Sequence, residues 1–215
     1  MSPSERARVL DTPHVFIQGK GIRTILLLHG TGGDENSLVP AGRRVDSSAS
    51  LLGVRGKVLE NGMARFFRRF AEGVFDIEDV RFRANELAEF VAEASREYGF
   101  SPGSVAILGY SNGANIGAAL LLLRPESARL AMLFRPMLPL IPEVRPDLSG
   151  KSVFLSAGSR DTMIPGDGTR ELERALASAG AQVTMNWEPS DHRLTSSDIS
   201  KAADWLTAQP EGKVS

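Results

Sequence analysis

Three short apolar runs, each closed by a glycine, constrain what this chain can fold into. "TILLLHG" (residues 24–30), "SVAILG" (104–109) and "SVFLSAG" (152–158) are continuous rather than alternating in hydrophobicity. A strand of that kind has both faces covered, as strands inside a parallel sheet do. "AQVTMNW" (181–187) reads as a further strand. Parallel neighbours need crossovers, and helical patterns stand between the runs. Val80, Ala84, Leu87, Val91, Ala94 and Tyr98 recur at three- or four-residue steps, with Gly99 and Pro102 as stop signals. Residues 116–123 are apolar nearly all round, 171–179 end at Gly180, and 197–208 form a last amphipathic helix. The expectation is a doubly wound, mostly parallel α/β sheet flanked by helices, with ligands collecting at the carboxyl ends of the strands.

At 215 residues, 42% hydrophobic and 24% charged, the chain suits a single α/β domain. Residues 1–13 and 209–215 are expected to be loosely ordered, and residues 43–75 to be irregular structure beside a pocket, with "SLLGVRG" a candidate short strand. Residues 137–149 are proline-punctuated and too short for a cap domain. A net charge of -1, with no long block of like charge, gives no reason to expect nucleic acid or an anionic membrane as partner. There is no cysteine, which removes thiolate chemistry and fits a reducing compartment. No signal-peptide core and no run near the ~20 apolar residues of a membrane span is present, so a soluble, cytoplasmic protein is expected.

The stretch "AILGYSNGANIG" places Ser111 between Gly109 and Gly113, where a strand-like run meets a helix-like one. A serine hydroxyl is a poor nucleophile unless a base takes its proton and a turn exposes its oxygen. A tight strand-to-helix turn supplies the exposure, and bulk two residues to either side would obstruct it. Of three histidines, His14 precedes an edge-like strand and His29 ends a buried one, where ordering its loop is the simpler role. His192, between the last strand and the last helix, is the candidate base. The carboxylate partner is Asp161, two residues past "SAGS", in the chain order serine, aspartate, histidine. Asp167 is the alternative, though it stands where a helix start also explains an aspartate. Asp191 adjoins His192 and is badly placed to receive its ring proton. Backbone N–H groups of Asn112 and Thr31 are the candidate oxyanion donors. Met163, Ile164 and Leu194 should flank the cleft; Met63, Phe66 and Phe67 could line it too, or be plain core. The glycine-rich "HGTGGDENS" lacks the lysine and spacing of a phosphate loop.

Taken together, "LLLHGTGGDENSL", "GYSNGANI", "SAGSRDTMIP" and "DHRLTSSDISKAADWL" resemble the phospholipase/carboxylesterase family of small serine α/β-hydrolases over residues 15–206. The resemblance implies the α/β-hydrolase fold, a Ser111, Asp161, His192 triad, an oxyanion hole at Thr31 and Asn112, and Arg55 with Gly56 near the acyl pocket. It implies no metal and no organic cofactor, a small ester as partner, and a homodimer as in many relatives. Asp191 departs from the family, which usually has glycine there. The function expected is a carboxylesterase acting on small to medium acyl esters. The alternatives are a lysophospholipase or acyl-protein thioesterase, and a non-catalytic binding protein of the same fold.

Overall fold

The computed structural model describes residues 10–210. Strand β1 (His14–Ile17) is followed by β2 (Thr24–Leu28), helix α1 (Val39–Val45) and β3 (Ser50–Val54). Four short strands come next: β4 (Val58–Glu60), β5 (Met63–Arg65), β6 (Arg69–Ala71) and β7 (Val74–Phe75). Helix α2 (Ile77–Tyr98), β8 (Val105–Tyr110), α3 (Asn112–Leu123), β9 (Leu130–Phe134) and β10 (Ser152–Gly158) continue the chain. Helix α4 (Gly166–Ser178), β11 (Gln182–Glu188) and α5 (Ser196–Thr207) complete the described elements.

Seven of the strands form one sheet in the order β1-β3-β2-β8-β9-β10-β11, parallel throughout except for β1. The continuous apolar runs lie in its interior: β2, β3, β9 and β10 are buried at every residue. Side chains alternate across a strand, so each run serves two cores. Leu26 and Leu28 of β2 join the core under α2, α3 and α4, while Ile25 and Leu27 join the one under α1 and α5. Edge strand β11 instead alternates between exposed and half-buried positions over most of its length. Helix α3, apolar all round, is buried from Asn112 to Leu122 between the sheet and α2. The core thus sits on both faces of the sheet, the α/β-hydrolase arrangement.

Helix ends follow local chemistry. Asp76 caps α2 by accepting from the Asp79 N–H at 3.2 Å, and Gly99 ends it at φ +72°. Thr195 and Asp198 form a reciprocal capping box on α5.

Residues 43–75 contain the expected strand, but elsewhere they are regular where irregular structure was expected. They are ordered: α1 runs to Val45, "SLLGV" is the wholly buried β3, and the remainder folds into two antiparallel hairpins, β4-β5 and β6-β7. The first turns at Asn61-Gly62 with φ of 51° and 78°, the left-handed pair of a tight two-residue hairpin. Helix α4 also begins earlier than its apolar period predicts, directly after Pro165.

No described helix is long and apolar enough to cross a membrane. Most of the termini expected to be loose lie outside the described residues. Within them, Thr12 is 6% exposed, and the Gln209 carbonyl accepts from Arg23 Nη2 at 3.0 Å.

Candidate active site

Because β2, β8, β10 and β11 are parallel, the loops after all four emerge at one edge of the sheet. Those loops carry Thr31, Ser111, Asp161 and His192. Ser111 sits at the β8-α3 junction with φ 52° and ψ −116°, a conformation costing on the order of 1–3 kcal/mol. The flanking glycines make that turn sterically possible. A Cβ at Gly113 would lie 1.9 Å from the Leu28 carbonyl oxygen, and one at Gly109 would lie 2.7 Å from the Gly113 oxygen. Although Ser111 occupies the cap position of α3, its hydroxyl caps nothing.

That hydroxyl meets His192. Ser111 Oγ lies 2.9 Å from His192 Nε2, and His192 Nδ1 lies 2.8 Å from Asp161 Oδ2. The Asp161 side chain, 2% exposed, is held by a second set of bonds: its Oδ1 accepts the N–H groups of Met163 at 2.9 Å and Ile164 at 3.0 Å. A carboxylate so fixed orients the imidazole and can stabilise the positive charge the ring acquires with a second proton. Hydroxyl, imidazole and carboxylate thus form one continuous hydrogen-bonded line.

The other candidates stand elsewhere. The His29 ring is buried; its Nδ1 lies 2.6 Å from the Gly30 carbonyl oxygen and its Nε2 accepts the Gly56 N–H at 3.0 Å. With its lone pair occupied and burial lowering its pKa, His29 orders the loop. His14 spans the Thr12 carbonyl and the Tyr98 hydroxyl on edge strand β1. Asp167 lies in the first turn of α4, paired with Arg170. The Asp191 carboxylate bonds Arg193, which holds its pKa below the usual range, so it is engaged away from the imidazole.

Ser111 and His192 open into a cleft of about 320 Å³ that Thr31 and Asn112 also line. Among the described residues neither the Thr31 N–H nor the Asn112 N–H has an acceptor. Both are therefore available to an oxyanion. Met63, Met163 and Ile164 line the cleft. Four other candidates do not, and of these Phe67 is fully buried in the core. Phe66 packs into the core against the His29 ring, 4.8 Å between centroids, because its N–H is clamped to Asn112 Oδ1 at 2.7 Å. Arg55 is drawn to Glu35 by a bidentate pair at 2.5 and 2.8 Å. Leu194 turns to the core beneath α5 and to the far side of the His192 loop. The hairpins supply the outer wall instead, through Arg65, Arg69, Glu72 and Phe75.

Sequence reasoning also missed Arg135, which carried no motif. Fully buried, it donates to Asp198 through Nη1 at 2.9 Å and Nη2 at 2.8 Å. The same guanidinium bonds the Asp191 carbonyl, Ser190 Oγ and the Arg193 carbonyl at 3.2, 2.8 and 2.8 Å. It pins the loop on both sides of His192 from below. From above, the Tyr110 hydroxyl donates to the His192 carbonyl at 3.1 Å.

No family model matches the chain. It is 43% identical over 192 residues to a Bacillus subtilis protein named as hydrolase MhqD, covering 89% of this chain and 96% of that one. The solved Bacillus cereus carboxylesterase is 46% identical, covers 94% of this chain and 98% of its own, and superposes with a TM-score of 0.90. A Mesorhizobium loti carboxylesterase structure is 32% identical, with coverage of 92% and 95% and a TM-score of 0.88. The chain belongs to the phospholipase/carboxylesterase family of ester-hydrolysing serine α/β-hydrolases.

Proposed function

We propose that this protein is a serine carboxylesterase acting on small to medium acyl esters, with Ser111 as nucleophile, His192 as general base and acid, and Asp161 as the residue that orients the ring. The observation that carries the reading is the unbroken hydrogen-bond line from Ser111 Oγ through the His192 imidazole to Asp161. His192 Nε2 takes the hydroxyl proton as Oγ attacks the ester carbonyl carbon. The Thr31 and Asn112 N–H groups receive the oxyanion of the tetrahedral intermediate. As the intermediate collapses, the alcohol leaves with the proton from His192. Water, deprotonated by the same ring, then attacks the acyl-serine ester, and the second intermediate collapses as His192 returns that proton to Ser111 Oγ and the carboxylic acid is released.

The cleft's size supports short substrates. Its volume of about 320 Å³ is near the lower end for small-molecule sites, and charged residues interrupt its apolar lining. A lysophospholipid or acylated protein would require a longer apolar groove. The absence of cysteine supports action in the reducing cytoplasm. Ser111→Ala should lower turnover of a short-chain ester by on the order of 10³- to 10⁶-fold with unchanged circular dichroism. Near-normal hydrolysis by the folded variant would refute the assignment.

A further inference from the structure

The cleft wall contains an arginine in an unusual setting. The Arg65 side chain is 4% exposed, yet it lines the same cleft as Ser111. Its Nη1 donates to Thr31 Oγ1 at 2.7 Å, and its Nε faces Glu60 Oε2 at 3.1 Å and the Phe67 carbonyl at 3.4 Å. Nη2 makes no hydrogen bond among the described residues. Asn115, one helical turn beyond Ser111 and also in the cleft, presents a second free donor. Its Oδ1 accepts the Met137 N–H at 2.9 Å, while its Nδ2 makes no hydrogen bond among the described residues.

The charges around these donors are unevenly placed. Arg65 and Arg69 share the single carboxylate of Glu60 at the inner wall. Glu72 also lines the cleft and attracts Arg65, though from the exposed β6-β7 turn, where water weakens the interaction. Burial is the largest influence on Arg65 and lowers its pKa, the sign of a guanidinium short of solvation. An anion seated on it would replace that lost hydration.

Strand order and the oxyanion donors together limit which arm of an ester would reach this wall. Thr31 and the hairpin stand on the β2 side of Ser111, whereas Asp161 and His192 come from β10 and β11 on the other side. The alcohol must lie toward His192 to receive its proton and the carbonyl oxygen toward the Thr31 and Asn112 N–H groups, so the acyl arm is the one left to run along the cleft wall that holds Arg65 and Asn115. On the reading of Ser111 as nucleophile, we infer that Arg65 and Asn115 form a carboxylate-binding end of the acyl pocket, and that the preferred substrates are half-esters of short dicarboxylic acids.

The test compares kcat/KM by pH-stat for monomethyl glutarate and for methyl 5-methylhexanoate, in which an isopropyl group replaces the carboxylate at equal length. The wild-type protein should favour the half-ester by roughly ten- to a hundredfold. Arg65→Met should abolish that preference and Arg65→Lys should retain part of it. Free glutarate should inhibit wild-type hydrolysis of the neutral ester competitively, a measurement that needs no variant to fold. Equal or better use of the neutral ester, with no inhibition by glutarate, overturns the carboxylate subsite and leaves the esterase reading intact. Hydrolysis of neither ester, together with no labelling of Ser111 by a fluorophosphonate, overturns both.

Discussion

Arg135 and Asp198 meet in a two-point contact, at 2.9 and 2.8 Å, with neither side chain exposed, directly beneath the loop that carries His192. The pair joins the end of β9 to the first turn of α5, and the remaining Arg135 donors hold the backbone around the imidazole. His192 is on a loop, but a loop resting on a buried ionic floor. Such a floor gives precision to a segment that would otherwise have only its own turns to define it.

Arg135→Met should therefore act on stability and on catalysis together. It strands a buried carboxylate, a loss of about 3–5 kcal/mol, measurable as a lower urea midpoint. It also frees the His192 loop, so kcat should fall at temperatures where the variant is still folded. Adding Asp198→Asn removes the stranded charge, and the double variant should be more stable than the sum of the single losses. Simple additivity would show that the two residues do not act as a pair.

The glycines beside Ser111 lead to a graded prediction. Gly113→Ala drives a methyl into the Leu28 carbonyl, which belongs to the buried centre of the sheet and cannot yield, so a loss of about 3 kcal/mol is expected. Gly62→Ala meets nothing within 4 Å and suffers only from its positive φ, at about 1 kcal/mol. Thermal unfolding of the two variants should rank them in that order, and the reverse ranking would show that backbone conformation outweighs contact at the elbow.

Acid should weaken the fold in two separate steps. Burial holds the His29 pKa below its ordinary 6.5. Between those values the unfolded chain binds a proton that the folded chain refuses, so stability is full above pH 6.5 and is lost as pH falls toward the folded value. The second step lies lower. Burial alone would raise the Asp198 pKa, but the bonds from Arg135, Ser156 and Thr195 outweigh it and hold it below 3.8. Its contribution persists above that value and is lost as pH falls through the folded pKa. Urea titrations across the acid range should show both slopes, with the first missing in His29→Gln. An unchanged slope near pH 6 in that variant would contradict the assignment to His29.

What could be read before the structure depended on how local the signal was. The buried parallel strands and the helices between them announce themselves because periodicity and glycine stops are written within ten to twenty neighbouring residues. The Ser111 elbow was equally legible, since two glycines and an abrupt change of period encode a steric demand. The hairpins were not: β4 through β7 are two or three residues long, too short for alternation to register, and the Asn61-Gly62 turn stood unsupported by its flanks. Arg55 and Phe66 were misplaced for a related reason. Their positions are decided by Glu35 and by the Asn112 side chain, partners 20 and 46 residues distant. Arg135 and Arg65 are further cases, because a buried arginine looks like any surface arginine until its acceptors are assembled from several segments.

The central claim is that the Ser111 hydroxyl is activated by the ring it touches. A fluorophosphonate added to the native protein, followed by peptide mass mapping, tests it most directly. A single stoichiometric adduct on Ser111, formed at a rate that collapses to background in His192→Ala, is the predicted result. No adduct, or one on another residue while Ser111 stays unmodified, would contradict the account.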